Sequence, residues 1–514
     1  MKKSERSGDP NNSSGKMRLP EHKEVLQLRN TLVKAEQFRR AGKLEDAEKL
    51  CRKMLSHYPT YMGALQTFGL ISIERQNFPQ AVTCFLTATA EAPNDPTNYL
   101  NLAAAWVGLE KPAMAEPMLE SALKLDPDNA EIHHLIGDVQ VRNREYDLAM
   151  KSFETAVEKD PDHLLSAFKL ADAYVNLGFF EKAKGVLFTL LEKRPDWIGV
   201  INLLHQLPGQ MVSIDFESAL KKAKQQKTET SAEFENSRNF LEASILDRNA
   251  EHENAWSILL QANQVIYDAN KTNVKAANAM RSQELEAAKR MKIQSFTAPE
   301  VTIMPLFIMG ASRSGKTTLE VLLGNHPDIK RGYENHNVQQ STTRAAQISG
   351  FVNIEQLWRL PEQALEAFSK DFRTRLRGQA DDHSVLTNTS PGLIGSAAQI
   401  ARSLPEAKFV FITRNRDDLV LRILMKKYKR ANYHAYNLEA ARNYVSWYEE
   451  IMETLTRKLG DRVLNITYED MVANPAEALD KVTALCGLTA YSGNLPVIGT
   501  DVGCSEPYRK FLNN

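Results

Sequence analysis

The sequence predicts an α-helical solenoid followed by an α/β P-loop domain whose parallel sheet is flanked by helices. Two observations predict it. Pro59, Pro93, Pro127, Pro161 and Pro195 recur every 34 residues, a period that suits stacked two-helix units. Around residue 310 an apolar run enters a glycine-bounded loop and leaves it as a helical pattern, the order that surrounds a phosphate with backbone N–H groups. At 514 residues the chain is too long for one core. The expected organisation is a disordered tail over 1–20, repeats over 24–197, a helical extension and linker over 198–300, and the P-loop domain over 301–514.

Composition narrows the classes of function. With 43% hydrophobic and 25% charged residues and a net charge of zero, nothing argues for bulk attraction to nucleic acid or an anionic membrane. Cys51, Cys84, Cys486 and Cys504 are scattered without metal-ligand spacing, so they read as reduced thiols. The N-terminal stretch is polar and rich in Ser, Gly and Pro, with no apolar segment behind it. It reads as a disordered tail rather than a secretory signal. The apolar run Val301 to Met309 is too short to span a bilayer. The expected location is cytoplasmic.

The repeats fix more than their prolines. The same register places Gly69, Ala103, Gly137 and Ala171 at one site and Ala47, Ala81, Ala115, Ala149 and Ala183 at another. Small residues fit where two helices cross. Cys51, Phe85, Leu119, Phe153 and Leu187 lie four positions after the alanines, on the same helical face. Proline follows each second helix because it cannot continue one. These features resemble the tetratricopeptide repeat, of which five units are counted. A solenoid of this type presents a concave surface for a protein or peptide; a spacer or dimerisation module, giving a homodimer, is the alternative. Beyond it, Leu207-Pro208-Gly209 breaks the pattern, Ala243 to Ala262 suit a divergent helix pair, and Lys271 to Arg290 suit a long connecting helix.

The loop is the strongest chemical signal. Gly310 and Gly315 permit its tight path, Arg313 and Lys316 bring charge, and Ser314, Thr317 and Thr318 bring hydroxyl donors. Gly310 to Thr317 satisfies the G-x-x-x-x-G-K-[ST] pattern of nucleotide hydrolases and kinases. The wider run PLFIMGASRSGKTTLEVLLGNHP, Pro305 to Pro327, resembles instead the 5′-phosphosulfate loop of sulfotransferases. It is most similar to bacterial proteins in which tetratricopeptide repeats precede that domain. The resemblance implies that Arg313, Ser314, Gly315, Lys316 and Thr317 hold the 5′-phosphate and sulfate of PAPS. Lys316 stands where the family usually has Thr.

Downstream segments distinguish the two readings. A P-loop NTPase needs an Asp at the end of a buried strand to hold Mg²⁺. Neither Lys408 to Thr413 nor the Ser384-Val-Leu-Thr run ends in one. The family resemblance instead gives Arg414 the 3′-phosphate. Arg422 falls where the family has a phosphate-binding Ser; it either binds the phosphate or pairs with Asp418 one turn earlier on a solvated helix face. Arg462 to Pro475, with Tyr468-Glu-Asp, resembles the family's late strand and following segment. Tyr444, Trp447 and Tyr448 read as core.

Transfer of sulfate from PAPS to a hydroxyl-bearing acceptor needs a held donor, an aligned acceptor, a base, and stabilisation of the leaving phosphate. Arg313 and Lys316 suit the last task, and no metal is required. The resemblance makes Glu334 the base, although Tyr333 separates it from Gly332. His336 is the alternative, since an unperturbed imidazole titrates near ~6.5. His326 with Pro327 reads as a helix end. The family's Lys-x-Pro-x-Asn element has no Lys near Thr387 to Pro391. Ser505 to Lys510 resembles the start of the family's cofactor-covering terminal segment, after which the chain stops; Arg509 and Lys510 either reach the 3′-phosphate or are plain tail charges. The competing functions are a P-loop kinase or NTPase and a catalytically degenerate scaffold.

Overall fold

A computed structural model describes residues 22–143, 145–207, 211–225, 232–293, 303–351, 354–428, 432–496 and 501–512. The expected tail and the Pro208-Gly209 break lie outside them. The helices of the array are α1 (His22–Arg40), α2 (Leu44–His57), α3 (Met62–Glu74), α4 (Phe78–Glu91), α5 (Pro96–Gly108), α6 (Pro112–Leu125), α7 (Ala130–Arg142), α8 (Tyr146–Lys159), α9 (Leu164–Leu177) and α10 (Phe180–Lys193). Starts at 44, 78, 112, 146 and 180, and at 62, 96, 130 and 164, keep the 34-residue step. Each of the five register prolines falls in the turn just after an even-numbered helix, where the missing N–H costs no helical bond. The five register alanines are fully buried, as are Cys51, Phe85, Phe153 and Leu187. A Cβ on Gly69 would stand 2.4 Å from Phe85 Cζ, so that crossing tolerates only hydrogen.

The register runs one helix further than the five units counted from the prolines. Helix α11 (Ile198–Gln206) begins 34 residues after α9. It is followed by α12 (Phe216–Gln225), the pair α13 (Ala232–Arg248) and α14 (His252–Ala269), and the long α15 (Lys271–Arg290). The chain divides into two compact units. One comprises residues up to Val139 with Thr155–Asp160; the other comprises Gln140–Glu154 and everything from Pro161.

Within the second unit lies a sheet of β1 (Met304–Met309), β2 (Ile329–Lys330), β3 (Val385–Asn388), β4 (Lys408–Thr413) and β5 (Val463–Thr467), ordered β2-β3-β1-β4-β5 and parallel throughout. Its helices are α16 (Lys316–Leu323), α17 (Asn337–Ile348), α18 (Leu365–Ala380), α19 (Ala397–Ser403), α20 (Arg416–Leu424), α21 (Leu438–Leu459), α22 (Tyr468–Ala473), α23 (Pro475–Leu485) and α24 (Arg509–Leu512). Side chains alternate along the strands. Phe307, Met309, Phe409 and Phe411 pack with Phe368, Phe372, Tyr448 and Ile451 on one face. Leu306, Ile308, Val410 and Ile412 pack with Leu319, Leu323, Leu479 and Val482 on the other. Both faces are covered, as a parallel sheet requires. The carboxyl ends of β1 and β4 therefore open on one edge, where α16 and α20 begin.

Candidate functional site

The loop from Gly310 to Gly315 joins central β1 to α16. A Cβ on Gly310 would meet Ser314 Oγ at 2.3 Å and the Ile412 carbonyl at 2.7 Å; one on Gly315, which has φ +102°, would meet the Tyr468 ring at 2.5 Å. Arg313 adopts φ +71°, a left-handed conformation that costs a non-glycine residue energy and needs support from its surroundings. Support comes from Arg414, whose Nη1 donates to the Arg313 carbonyl at 3.1 Å. Two tyrosines brace the other side. The Ser312 N–H donates to Tyr444 Oη at 3.3 Å, and Ser312 Oγ lies 2.8 Å from Tyr428 Oη. Tyr444, expected as core, is buried yet also touches the loop.

Lys316 is buried, and its Nζ donates to the Gly310 and Ala311 carbonyls at 2.9 Å each. Burial lowers its pKa to about 8, the Glu334 carboxylate opposing and Arg313 reinforcing the shift. Ser314 Oγ is fully buried and lacks a hydrogen-bond partner, so the cradle retains an unused polar group. Thr317 is exposed and Thr318 half-buried in the first turn of α16.

A second cationic centre adjoins the first. Arg414, just past β4, places its guanidinium 4.3 Å over the Tyr468 ring. Its Nη2 lies 2.7 Å from Asp501 Oδ1, and its buried Nε has no partner. Arg422 on α20 pairs with Asp501 Oδ2. This corrects the expected alternative of a pair with Asp418, whose carboxylate accepts from the Gly503 and Ser505 N–H groups instead. Arg509 bonds Glu506, and Lys510 lies 3.6 Å from Glu253.

Glu334 and His336 sit in the segment between β2 and α17, with His336 at the helix N-cap. A residue that the sequence did not single out shapes this segment. Glu320 on α16 is 1% exposed and accepts from Thr387 Oγ1 and from the Tyr333 N–H, the latter at 2.9 Å. Burial pushes its carboxyl pKa up. Asn388 Nδ2 donates to the Asn335 carbonyl at 3.1 Å and to Asn335 Oδ1 at 2.9 Å. The inserted Tyr333 takes φ +52°, and its hydroxyl donates to Asp147 on α8 at 3.2 Å. His326 is, as expected, a helix-end group: Nδ1 accepts from the Asp328 N–H, and Nε2 reaches the Thr489 carbonyl at 3.0 Å.

Strand ends also bear on the chemistry. The neighbours of β1 end in Asn388 and Thr413, so neither offers the Mg²⁺-holding carboxylate of an NTPase. Among the described residues, no group of three His, Cys, Asp or Glu side chains could hold a metal, and no helix is long and apolar enough to cross a membrane.

The sulfotransferase family model matches residues 305–492, and the tetratricopeptide repeat model matches 38–105, 108–162 and 141–207. The chain thus carries a tetratricopeptide region and a distinct sulfotransferase-family domain. It is similar to the protein-tyrosine sulfotransferase of Drosophila melanogaster, 24% identical over 228 residues that cover 41% of this chain and 43% of that one. Protein-tyrosine sulfotransferase 1 of Danio rerio is 26% identical over 193 residues, 34% of this chain and 50% of that one. The chain spans about half the length, or less, of these relatives. Among solved structures, a thermophilic TPR protein of Thermus thermophilus is 21% identical and aligns with a TM-score of 0.32 over 38% of this chain and 99% of that one.

Proposed function

We propose that the chain is a PAPS-dependent sulfotransferase whose acceptor is a hydroxyl group, and that the repeat array recruits the acceptor or a partner protein. The names of the relatives favour a tyrosyl hydroxyl in a protein over a glycan. One observation carries the reading. Two cationic centres, the Arg313/Lys316 loop and the Arg414/Arg422 pair, are joined by the Arg414 bond to the Arg313 carbonyl, which suits a nucleotide bearing phosphate at both its 5′ and 3′ positions.

The residues present fit that donor. Ser314 Oγ and Arg414 Nε are buried polar atoms without partners, and the loop's tight path depends on glycines whose Cβ would strike Ser314, Ile412 and Tyr468. PAPS supplies a sulfuryl group on a phosphate leaving group. Lys316 and Arg313 stabilise the charge that develops as the S–O bond to phosphate breaks. Glu334, whose carboxylate partly opposes the fall that burial imposes on the Lys316 pKa, takes the acceptor proton as the new O–S bond forms. His336 is the second candidate for that proton. Arg414 and Arg422 hold the 3′-phosphate, and Tyr468 stacks beneath Arg414. The array contributes a surface for an extended peptide.

Calorimetry with adenosine 3′,5′-bisphosphate and with Mg-ATP tests this against the NTPase and scaffold alternatives. Preferential binding of the bisphosphate, lost in Arg313→Ala, is expected. Tighter binding of Mg-ATP would overturn the reading, and binding of neither would leave the scaffold. Glu334→Gln should abolish turnover with bisphosphate affinity nearly unchanged; surviving turnover removes Glu334 as the base.

A further inference from the structure

The arginine pair already holds an anion, and it belongs to the chain. Asp501 Oδ1 meets Arg414 Nη2 at 2.7 Å and accepts from the Tyr468 hydroxyl at 2.8 Å, while Oδ2 accepts from Arg422 Nε. The Asp501 carbonyl takes a further bond from Arg414 Nη2 at 3.0 Å. Two guanidiniums and a phenol around one oxyanion group make a phosphate-type site, and Arg414 is more than nine-tenths buried.

The segment bearing Asp501 is fastened behind it. Asp418, 1% exposed, accepts from the Gly503 N–H at 2.6 Å, the Ser505 N–H at 2.8 Å and Ser505 Oγ at 2.6 Å. Tyr508 is fully buried and donates to Asp247 at 2.7 Å, and Phe511 stacks on Trp256 at 5.6 Å. These anchors lie C-terminal to Asp501. A rotation of the Asp501 side chain would leave each of these anchors in place.

We propose that Asp501 is an internal stand-in for the donor's 3′-phosphate, and that it must give up Arg414 and Arg422 before a 3′-phosphorylated nucleotide can bind. This rests on the sulfotransferase reading above. Like charges cannot share the two guanidiniums at contact distance, so carboxylate and phosphate compete. Burial alone would raise the Asp501 pKa, but Arg422 and Arg414 outweigh it and hold the group at about 2. Protonation at neutral pH therefore does not release it; the incoming phosphate must. The competition makes Asp501 a specificity-determining residue, because only a ligand offering a stronger anion at that point recovers the displaced contacts. A nucleotide with a bare 3′-hydroxyl leaves Asp501 where it is.

The test compares adenosine 3′,5′-bisphosphate with adenosine 5′-monophosphate by calorimetry on the full chain and on Asp501→Asn. If Asp501 occupies the site in all but about a tenth of molecules, removing its charge tightens bisphosphate binding roughly tenfold, with monophosphate affinity unchanged. Ser505→Ala, which loosens the strap and keeps the carboxylate, should shift bisphosphate affinity the same way by a smaller factor. Should Asp501→Asn unfold at the assay temperature, Ser505→Ala and the bisphosphate-induced rise in Tm decide. Equal or weaker bisphosphate binding in both variants overturns the stand-in role and leaves the sulfotransferase reading intact. No preference for bisphosphate over monophosphate in the parent protein or either variant overturns both.

Discussion

Raising the pH should weaken bisphosphate binding, and Lys316 should set the slope. Without ligand the ammonium is buried, pointed at the Gly310 and Ala311 carbonyls, and titrates at about 8. A phosphate dianion in the loop favours the charged form and returns it towards the ordinary lysine value, about 10.5. Between those limits ligand-free Lys316 is mostly neutral, so binding takes up a proton. Affinity then falls about tenfold per pH unit, for a total near 3 kcal/mol across the window. Below pH 8 the residue is charged in both states and affinity is level. Calorimetry from pH 7 to 10, in buffers of differing ionisation heat, should record uptake of nearly one proton at pH 9. In Lys316→Arg the slope should vanish, because a guanidinium keeps its charge throughout. Constant affinity to pH 10 without proton uptake refutes the argument.

Gly69→Ala should lower stability by about 1–3 kcal/mol through overpacking against Phe85, measured as a fall in the denaturant midpoint. Leu187→Ala should cost about 2–5 kcal/mol, since that side chain is fully buried. Asp501 is depressed to about 2 from 3.8, so its contribution, about 2 kcal/mol, is complete above pH 4 and lost as pH falls towards 2; acid titration of Asp501→Asn should lack that limb. Burial pushes the Cys51, Cys486 and Cys504 thiols up to about 12. A thiol reagent at pH 8 should therefore label them slowly in the native state and rapidly in denaturant.

The array was legible because repetition multiplies a weak signal: one buried alanine says little, five in register define a helix crossing. Strands β1 and β4 were legible as apolar runs, whereas β2 is two residues long and has no period to read. The loop carried its own glycines and charges within ten residues, so its cradle could be drawn directly. Arg422 could not, because its partner Asp501 lies 79 residues away, and a helix-local partner was the nearer choice. Glu320 reads in sequence as the polar member of an amphipathic turn. Only the return of the chain through β2 and β3 brings Thr387 and Tyr333 to it. Carboxylates that organise a site across the fold have no local spacing.

The Tyr333 hydroxyl rests on Asp147, and its ring meets Tyr146 edge-on at 6.0 Å. Both partners sit at the start of α8, a helix of the repeat array, while Glu334 is the next residue along. Removing the Asp147 carboxylate would free the Tyr333 hydroxyl one residue from the candidate base. The backbone leading to Glu334 is thereby held from two directions, by Glu320 through the Tyr333 N–H and by α8 through the Tyr333 side chain.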